Sequence, residues 1–340
     1  MSQIGFVVIG RNEGARLRDC LASLPLERGT TVYVDSRSTD GSAARADAQG
    51  VDVISLDEGR LTAARGRQAG VDFLQQKHPG LAYVQFLDGD CVLEPGWLES
   101  AEAYLDQHDK VAGVCGRRTE ERVADSRWSR LIDIDWDIPA GEVPFFGGDV
   151  LARVDAIQGV GGWNPSLIAG EEPELCFRLR KAGWRIDRLA QPATRHDIAM
   201  SSFAEYRKRS RRSGHAYAEV GTMHADGPGR LWQRRAVSIV LQGLVLPVLA
   251  VIGFAVWWPI GVVLLLPYVW WMLRMTRACR KRGYGWGLSF NYALVNLASR
   301  PAGAMGVLRY WIGRMSGRRA RLMEYKAGSP AAAGGPGGRP

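Results

Sequence analysis

The sequence predicts an α/β fold: a mostly parallel sheet with helices on both faces, followed by a C-terminal transmembrane or amphipathic helical region. Three observations carry that expectation. Short apolar runs alternate with helical patterns over residues 4–88, the signature of βαβ units. The runs ending at Ile9, Val34 and Leu87 each stop at a cluster of polar groups. Ala236 to Val256 is apolar apart from Gln242, long enough to cross a bilayer.

In order, Ile4–Ile9 reads as a first buried strand, followed by Gly10-Arg11-Asn12-Glu13 and a helical pattern through Leu17, Cys20, Leu21 and Leu24. Thr31–Val34 is a second strand ending in Asp35, and a polar turn from Ser36 to Ser42 enters the next helix. Val51–Ile54 is a third strand, and Leu61 to Leu74 a helix carrying Arg65 and Arg67. Tyr83–Leu87 is an apolar run of the kind buried on both sheet faces, and it ends in Asp88-Gly89-Asp90. Ligands of open α/β sheets bind beyond the carboxyl ends of the strands, so these carboxylates face the mouth of a site. Two acids this close repel unless a cation or proton lies between them. A turn that caps the strand and a site for a hard divalent ion are both open on this stretch alone.

The ordered set of motifs goes further. Phe6–Glu13, Val34–Ser42 and Phe86–Asp90 resemble the successive motifs of family 2 glycosyltransferases with the GT-A fold, Asp88-Gly89-Asp90 standing as the DXD motif. Phe145–Asp149, Gly159–Asn164 and Gly170–Leu179 resemble the acceptor-side segment and acidic motif of that family, and the likeness covers residues 4–200. It implies an inverting transferase that uses a nucleoside diphosphate sugar with Mg²⁺ or Mn²⁺. By the same resemblance Glu13 and Asp35 contact the nucleotide, Arg67 meets the diphosphate, Asp90 ligates the metal, and Asp88 touches ribose or metal. His196 resembles a third metal ligand of some members, in contact with metal or diphosphate, and Asp149 is expected to face the acceptor pocket. Glu171 and Glu172 stand where the family has Glu-Asp. The longer second acid leaves open which carboxylate is the general base; Glu172 is the expected one.

Composition places the rest. The chain has 340 residues and a net charge of +9, and after Asp226 its only acid is Glu324. A neutral front and basic back point to nucleic acid or an anionic membrane surface. The run Tyr206–His215 is densely basic but lacks the interleaved aromatics of a stacking surface, so no nucleic-acid partner is expected. Arg234-Arg235 precede the apolar stretch, Ile260 to Leu273 is a second, shorter one, and Arg274, Arg277, Arg280, Lys281 and Arg282 follow. Both ends are then cytoplasmic, giving a membrane hairpin or re-entrant pair in contact with membrane lipids. Trp286 to Trp311 reads as an interfacial or broken helix at Arg300-Pro301. Five cysteines without paired spacing read as reduced thiols.

The expected organisation is a GT-A domain over residues 1–227, a hairpin over 228–275, basic amphipathic helices over 276–326, and a disordered Gly/Pro/Ala tail over 327–340. The expected acceptor is a lipid-linked sugar or growing polysaccharide, at the cytoplasmic face of a bacterial-type inner membrane. A polyprenyl-phosphate glycosyltransferase is the near alternative, and a non-catalytic membrane-tethered nucleotide or sugar binder is the alternative of another class. No Gln-x-x-Arg-Trp motif marks a processive synthase. Oligomeric state is not legible.

Overall fold

The computed structural model describes residues 4–25, 29–124, 126–224 and 230–317. The expected boundary at 227 and the tail from 327 lie outside them. The first half alternates as anticipated: β1 (Ile4–Gly10), α1 (Ala15–Ala22), β2 (Gly29–Asp35), α2 (Ser42–Asp47), β3 (Asp52–Ser55), α3 (Ala63–Lys77) and β4 (Tyr83–Asp88). There follow β5 (Cys91–Leu93), α4 (Trp97–Gln107), β6 (Val111–Glu120), α5 (Arg127–Trp136), β7 (Gly141–Glu142) and β8 (Leu151–Arg153). Then come α6 (Val154–Gly159), α7 (Glu171–Lys181), β9 (Arg185–His196) and α8 (Phe203–Met223).

These strands make one nine-stranded sheet in the order β3-β2-β1-β4-β8-β6-β9-β5, with β7 paired to β9. It is parallel from β3 to β4 and mixed beyond: β8 runs antiparallel to both β4 and β6, β6 and β9 are parallel, and β5 is antiparallel to β9. Alternate side chains of β1 and β4 enter cores on opposite faces. Val7, Ile9, Val84 and Phe86 pack with α3 and α7, while Phe6, Val8, Tyr83 and Leu87 pack with α1 and α4. That two-sided burial is why β4 reads as an unbroken apolar run. All five cysteines are free and buried.

α3 begins at Thr62, whose hydroxyl accepts from the Arg65 amide at 3.3 Å. Its glycines let it lie close on the sheet: a Cβ at Gly70 would stand 2.4 Å from Val7 Cγ1, and one at Gly66 3.1 Å from Ile9 Cγ2. That close approach carries Arg67 to the end of β4.

The C-terminal region departs from expectation in two places. α9 (Arg230–Val240) passes through a π-helical stretch (Leu241–Val245) into α10 (Leu246–Val256), and α11 runs from Trp258 to Lys281. The second apolar run is therefore part of a 24-residue helix rather than a short one. Pro247 has no N–H to offer the carbonyl of Gly243, which accounts for the widened turn just before it. α12 (Trp286–Met315) continues unbroken through Arg300-Pro301. Neighbours hold it there: a Cβ at Gly303 would lie 2.9 Å from Ile239 Cγ2, and one at Gly306 2.0 Å from the Arg211 carbonyl oxygen. Two helices, Trp232–Val256 and Trp258–Lys281, are long and apolar enough to cross a membrane, with 28% and 11% of their most apolar windows buried inside the protein. Val251, Val256, Trp257 and Trp258 are exposed. α12 is not a separate appendage, because Val295 joins the core of Trp128, Ile132 and Tyr206, and Tyr292 donates to Asp135 at 2.6 Å.

Candidate active site

At the carboxyl ends of β1 and β4 lies a cleft of about 560 Å³. The turns after β1 and β2 are latched together. The Asn12 amide donates to Ser38 Oγ at 2.9 Å, and Asn12 Oδ1 accepts from the Thr39 amide at 2.7 Å. Asn12 and Arg37 adopt left-handed backbone, φ 56° and 58°, uncommon for non-glycine residues and held here by those bonds. The latch holds Arg11 and Glu13 at the cleft wall. Asp35 is buried behind that wall. It accepts from the Ser38 amide at 2.8 Å and the Tyr33 hydroxyl at 3.0 Å, and Ser36 rather than Asp35 lines the cleft.

Arg67 is the hub of the floor. Its guanidinium is buried, 2.9 Å from Asp88 Oδ1, 3.3 Å from Glu171 Oε1 and 3.2 Å from Glu172 Oε1. It also lies over the Trp163 ring, 5.0 Å from the centroid, and the Trp163 backbone N–H donates to Gln68 Oε1 at 2.7 Å. Close packing is required at Gly148, where a Cβ would stand 2.5 Å from Arg67 Nη2 and 2.8 Å from Asp88 Oδ2. Glu171 and Glu172 open α7 after Gly170, whose φ of 82° suits glycine. Burial and the neighbouring Glu171 push the Glu172 carboxyl up to about 7, against the pull of Arg67.

The second half of the sheet brings in Asp90 and His196. β5 pairs with β9 so that Cys91 faces His196 across the ladder. His196 Nε2 lies 3.4 Å from Asp90 Oδ2, and its Nδ1 lies 2.7 Å from Glu120 Oε1. Both ring nitrogens thus face carboxylates, and an ionised carboxylate only accepts: Nδ1–H donates to Glu120, and the contact between Nε2 and Asp90 is satisfied by a proton on Nε2 or by a cation between them. Glu120 also accepts from Trp136 Nε1 at 2.8 Å and the Ile198 amide at 3.1 Å. One oxygen and one imidazole nitrogen 3.4 Å apart, with a carboxylate behind the imidazole, fit the donor set of a divalent cation. Ligand atoms of Asp90, Cys91 and His196 all lie within 4.8 Å of one another. Burial pushes the Cys91 thiol well up, so it is a poor ligand beside the oxygen and nitrogen donors.

Asp88, Asp90, Glu13, Arg67, Glu171, Glu172 and His196 all line one cleft. Asp149 does not. It lies beneath the floor, bidentate to Arg118 at 2.8 and 3.1 Å and bonded to the Thr194 hydroxyl. Through Arg118, whose Nη2 reaches Asp88 Oδ2 at 3.6 Å, it acts on the site indirectly. Sequence reasoning missed Arg118, Glu120, Trp136 and Trp232. It also read Arg209 and Arg212 only as part of a dense basic run, whereas both line the cleft. The one available signal was helical spacing, because positions 209, 212, 213 and 216 fall on one face of α8.

The fold and site define a GT-A-type nucleotide-sugar transferase architecture. Family models agree: "Glycosyl transferase family 2" matches residues 6–155 and "Glycosyl transferase family group 2" residues 83–280. The chain belongs to glycosyltransferase family 2. It is 26% identical over 194 residues to the pre-mycofactocin glycosyltransferase of two Mycobacterium tuberculosis strains, a match covering 48% of this chain and 41% of those relatives. Among solved structures it resembles the mannosyltransferase PcManGT from Pyrobaculum calidifontis, in complex with GDP-Man and Mn²⁺. That likeness has a TM-score of 0.56 and 16% identity, and covers 90% of this chain and 86% of that one.

Proposed function

We propose that this chain is an inverting, cation-dependent glycosyltransferase. It moves a sugar from a nucleoside diphosphate sugar to a lipid-linked or polysaccharide acceptor at the cytoplasmic face of an inner membrane. The observation that carries the reading is the convergence of Asp88, Asp90 and Glu172 on one cleft, with the Glu172 carboxyl pushed up to about 7. A general base works best when poised near the operating pH.

Asp90 and His196, with Asp88, would hold Mg²⁺ or Mn²⁺, and that ion when bound neutralises charge growing on the leaving diphosphate. Glu13 and the latched turns after β1 and β2 hold the nucleoside end. Arg67 and Arg118 keep Asp88 oriented, and Arg67 keeps Glu171 and Glu172 at the floor. Glu172 takes the proton from the acceptor hydroxyl. The acceptor oxygen attacks the anomeric carbon as the bond to the diphosphate breaks, and the proton ends on Glu172. One attack with one base inverts the anomeric centre and needs no nucleophilic carboxylate. The exposed apolar faces of α10 and α11 support membrane attachment.

A non-catalytic binder is disfavoured because both glutamates line the cleft. The test is a panel of nucleoside diphosphate sugars with full-length protein, Mn²⁺ or Mg²⁺ and extracted membrane lipids, read as released nucleoside diphosphate. One donor should turn over and stop on chelation. Donor binding without release for every member of the panel would leave only the binder.

A further inference from the structure

We propose that the cleft contains a second anion site, formed by Arg209 and Arg212 of α8, that recognises the phosphate of a lipid-phosphate-linked acceptor. This inference rests on the transferase reading for its role and stands on separate residues. Asp88, Asp90, Glu171 and Glu172 line the cleft, and α8 adds Arg209 and Arg212 to the same lining. The two arginines are one helical turn apart on one face of α8, a spacing suited to bracketing a phosphate. Arg209 is already oriented, 3.6 Å from Asp135 and 5.1 Å from the Trp136 ring centroid; Arg212 Nη2 reaches the Ile168 carbonyl at 3.5 Å.

Distance along α8 ties the site to the base. A Cβ at Gly170, the residue before Glu171, would meet Ala216 Cβ at 3.1 Å, so Ala216 packs at the start of α7. Arg212 lies four residues back from Ala216, about 6 Å along the helix, and Arg209 about 10 Å. Both arginines thus lie within about two helical turns of the residue packed at the start of α7, with the acceptor hydroxyl proposed at Glu172 and its phosphate at the arginines.

The lipid end has its own wall. Trp232 lines the cleft and is also the first residue of the apolar span to Val256. Its ring lies 4.8 Å from Tyr217 and 5.8 Å from Phe145, both of which line the cleft. The anion site therefore opens toward the helix that is apolar enough to enter a bilayer. A soluble phosphorylated sugar needs no such wall, and a lipid alcohol needs no arginine pair.

The test is calorimetry on full-length protein in detergent with decyl phosphate, decanol and inorganic phosphate as probes. Decyl phosphate should bind at least tenfold tighter than either of the others. The double variant Arg209→Gln/Arg212→Gln should lose roughly tenfold to a hundredfold of that affinity, and Arg209→Lys/Arg212→Lys should keep most of it. Mn²⁺-dependent nucleotide binding by each variant checks that it is folded. Equal binding of decanol, equal binding of inorganic phosphate, or an unchanged double Gln variant would each overturn the site. If the unmutated protein bound no nucleoside diphosphate sugar, the transferase reading would fail, and the decyl phosphate series would still decide the anion site.

Discussion

Glu172 sits between an acid that opposes its charge and an arginine that favours it, and burial with Glu171 outweighs Arg67. Because its carboxyl is raised, its basic form is lost as pH falls through about 7 in the metal-free cleft. A bound cation adds positive charge and moves that midpoint down. Transfer should therefore rise with pH along a limb whose midpoint lies at or below about 7. Glu172→Gln should remove the limb and cut single-turnover transfer by about 10² to 10⁴, with donor affinity nearly unchanged. A larger loss in Glu171→Gln would move the base to Glu171. Glu120 makes a separate prediction through His196. Glu120→Ala should weaken Mn²⁺ binding by about 10- to 100-fold in calorimetry, with Glu120→Gln milder. Unchanged affinity in the alanine variant would leave Glu120 with a packing role only.

At the scale of elements, what was legible follows from local chemistry. Asp88 and Asp90 were readable because a two-faced apolar strand ends in them, and Glu171-Glu172 because they stand where the family resemblance places its acidic pair. Glu120 and Arg118 were not. Both sit in β6, and they reach the site through the pairing of β6 with β8 and β9, registers set between segments distant in sequence. Arg209 and Arg212 were legible as charge and illegible as position, because α8 turns Arg207 and Lys208 to solvent. α12 reads from sequence as an interfacial or broken helix because Pro301 usually interrupts one, whereas it runs unbroken and packs on α8. That packing is testable. A Cβ at Gly306 meets the Arg211 carbonyl at 2.0 Å and the His215 amide at 3.0 Å, atoms that cannot rotate away. Gly306→Ala should cost about 1–3 kcal/mol and lower the melting temperature in detergent. An unchanged melt would mean that α8 and α12 separate freely.

Across the whole molecule, the cleft-bearing part and the apolar helices share a core. Cutting the chain after Pro228 would remove Val295 from the cluster around Trp128 and the glycine faces of α12 from α8. The truncated chain should aggregate and lose helical signal by circular dichroism. A soluble, folded, nucleotide-binding product would show instead that residues 1–227 form an autonomous unit. The π-helical stretch at Leu241–Val245 sets a further relation between the two parts. Widening one turn accommodates an additional residue, and one residue of α-helix corresponds to about 100° of rotation. The face that Trp232 turns to the cleft and the face that Gly253 turns to α11 are thus set out of ordinary helical phase by a single residue. Deleting one residue there would act as a clutch, rotating the exposed apolar surface about the helix axis while leaving its composition and length almost unaltered.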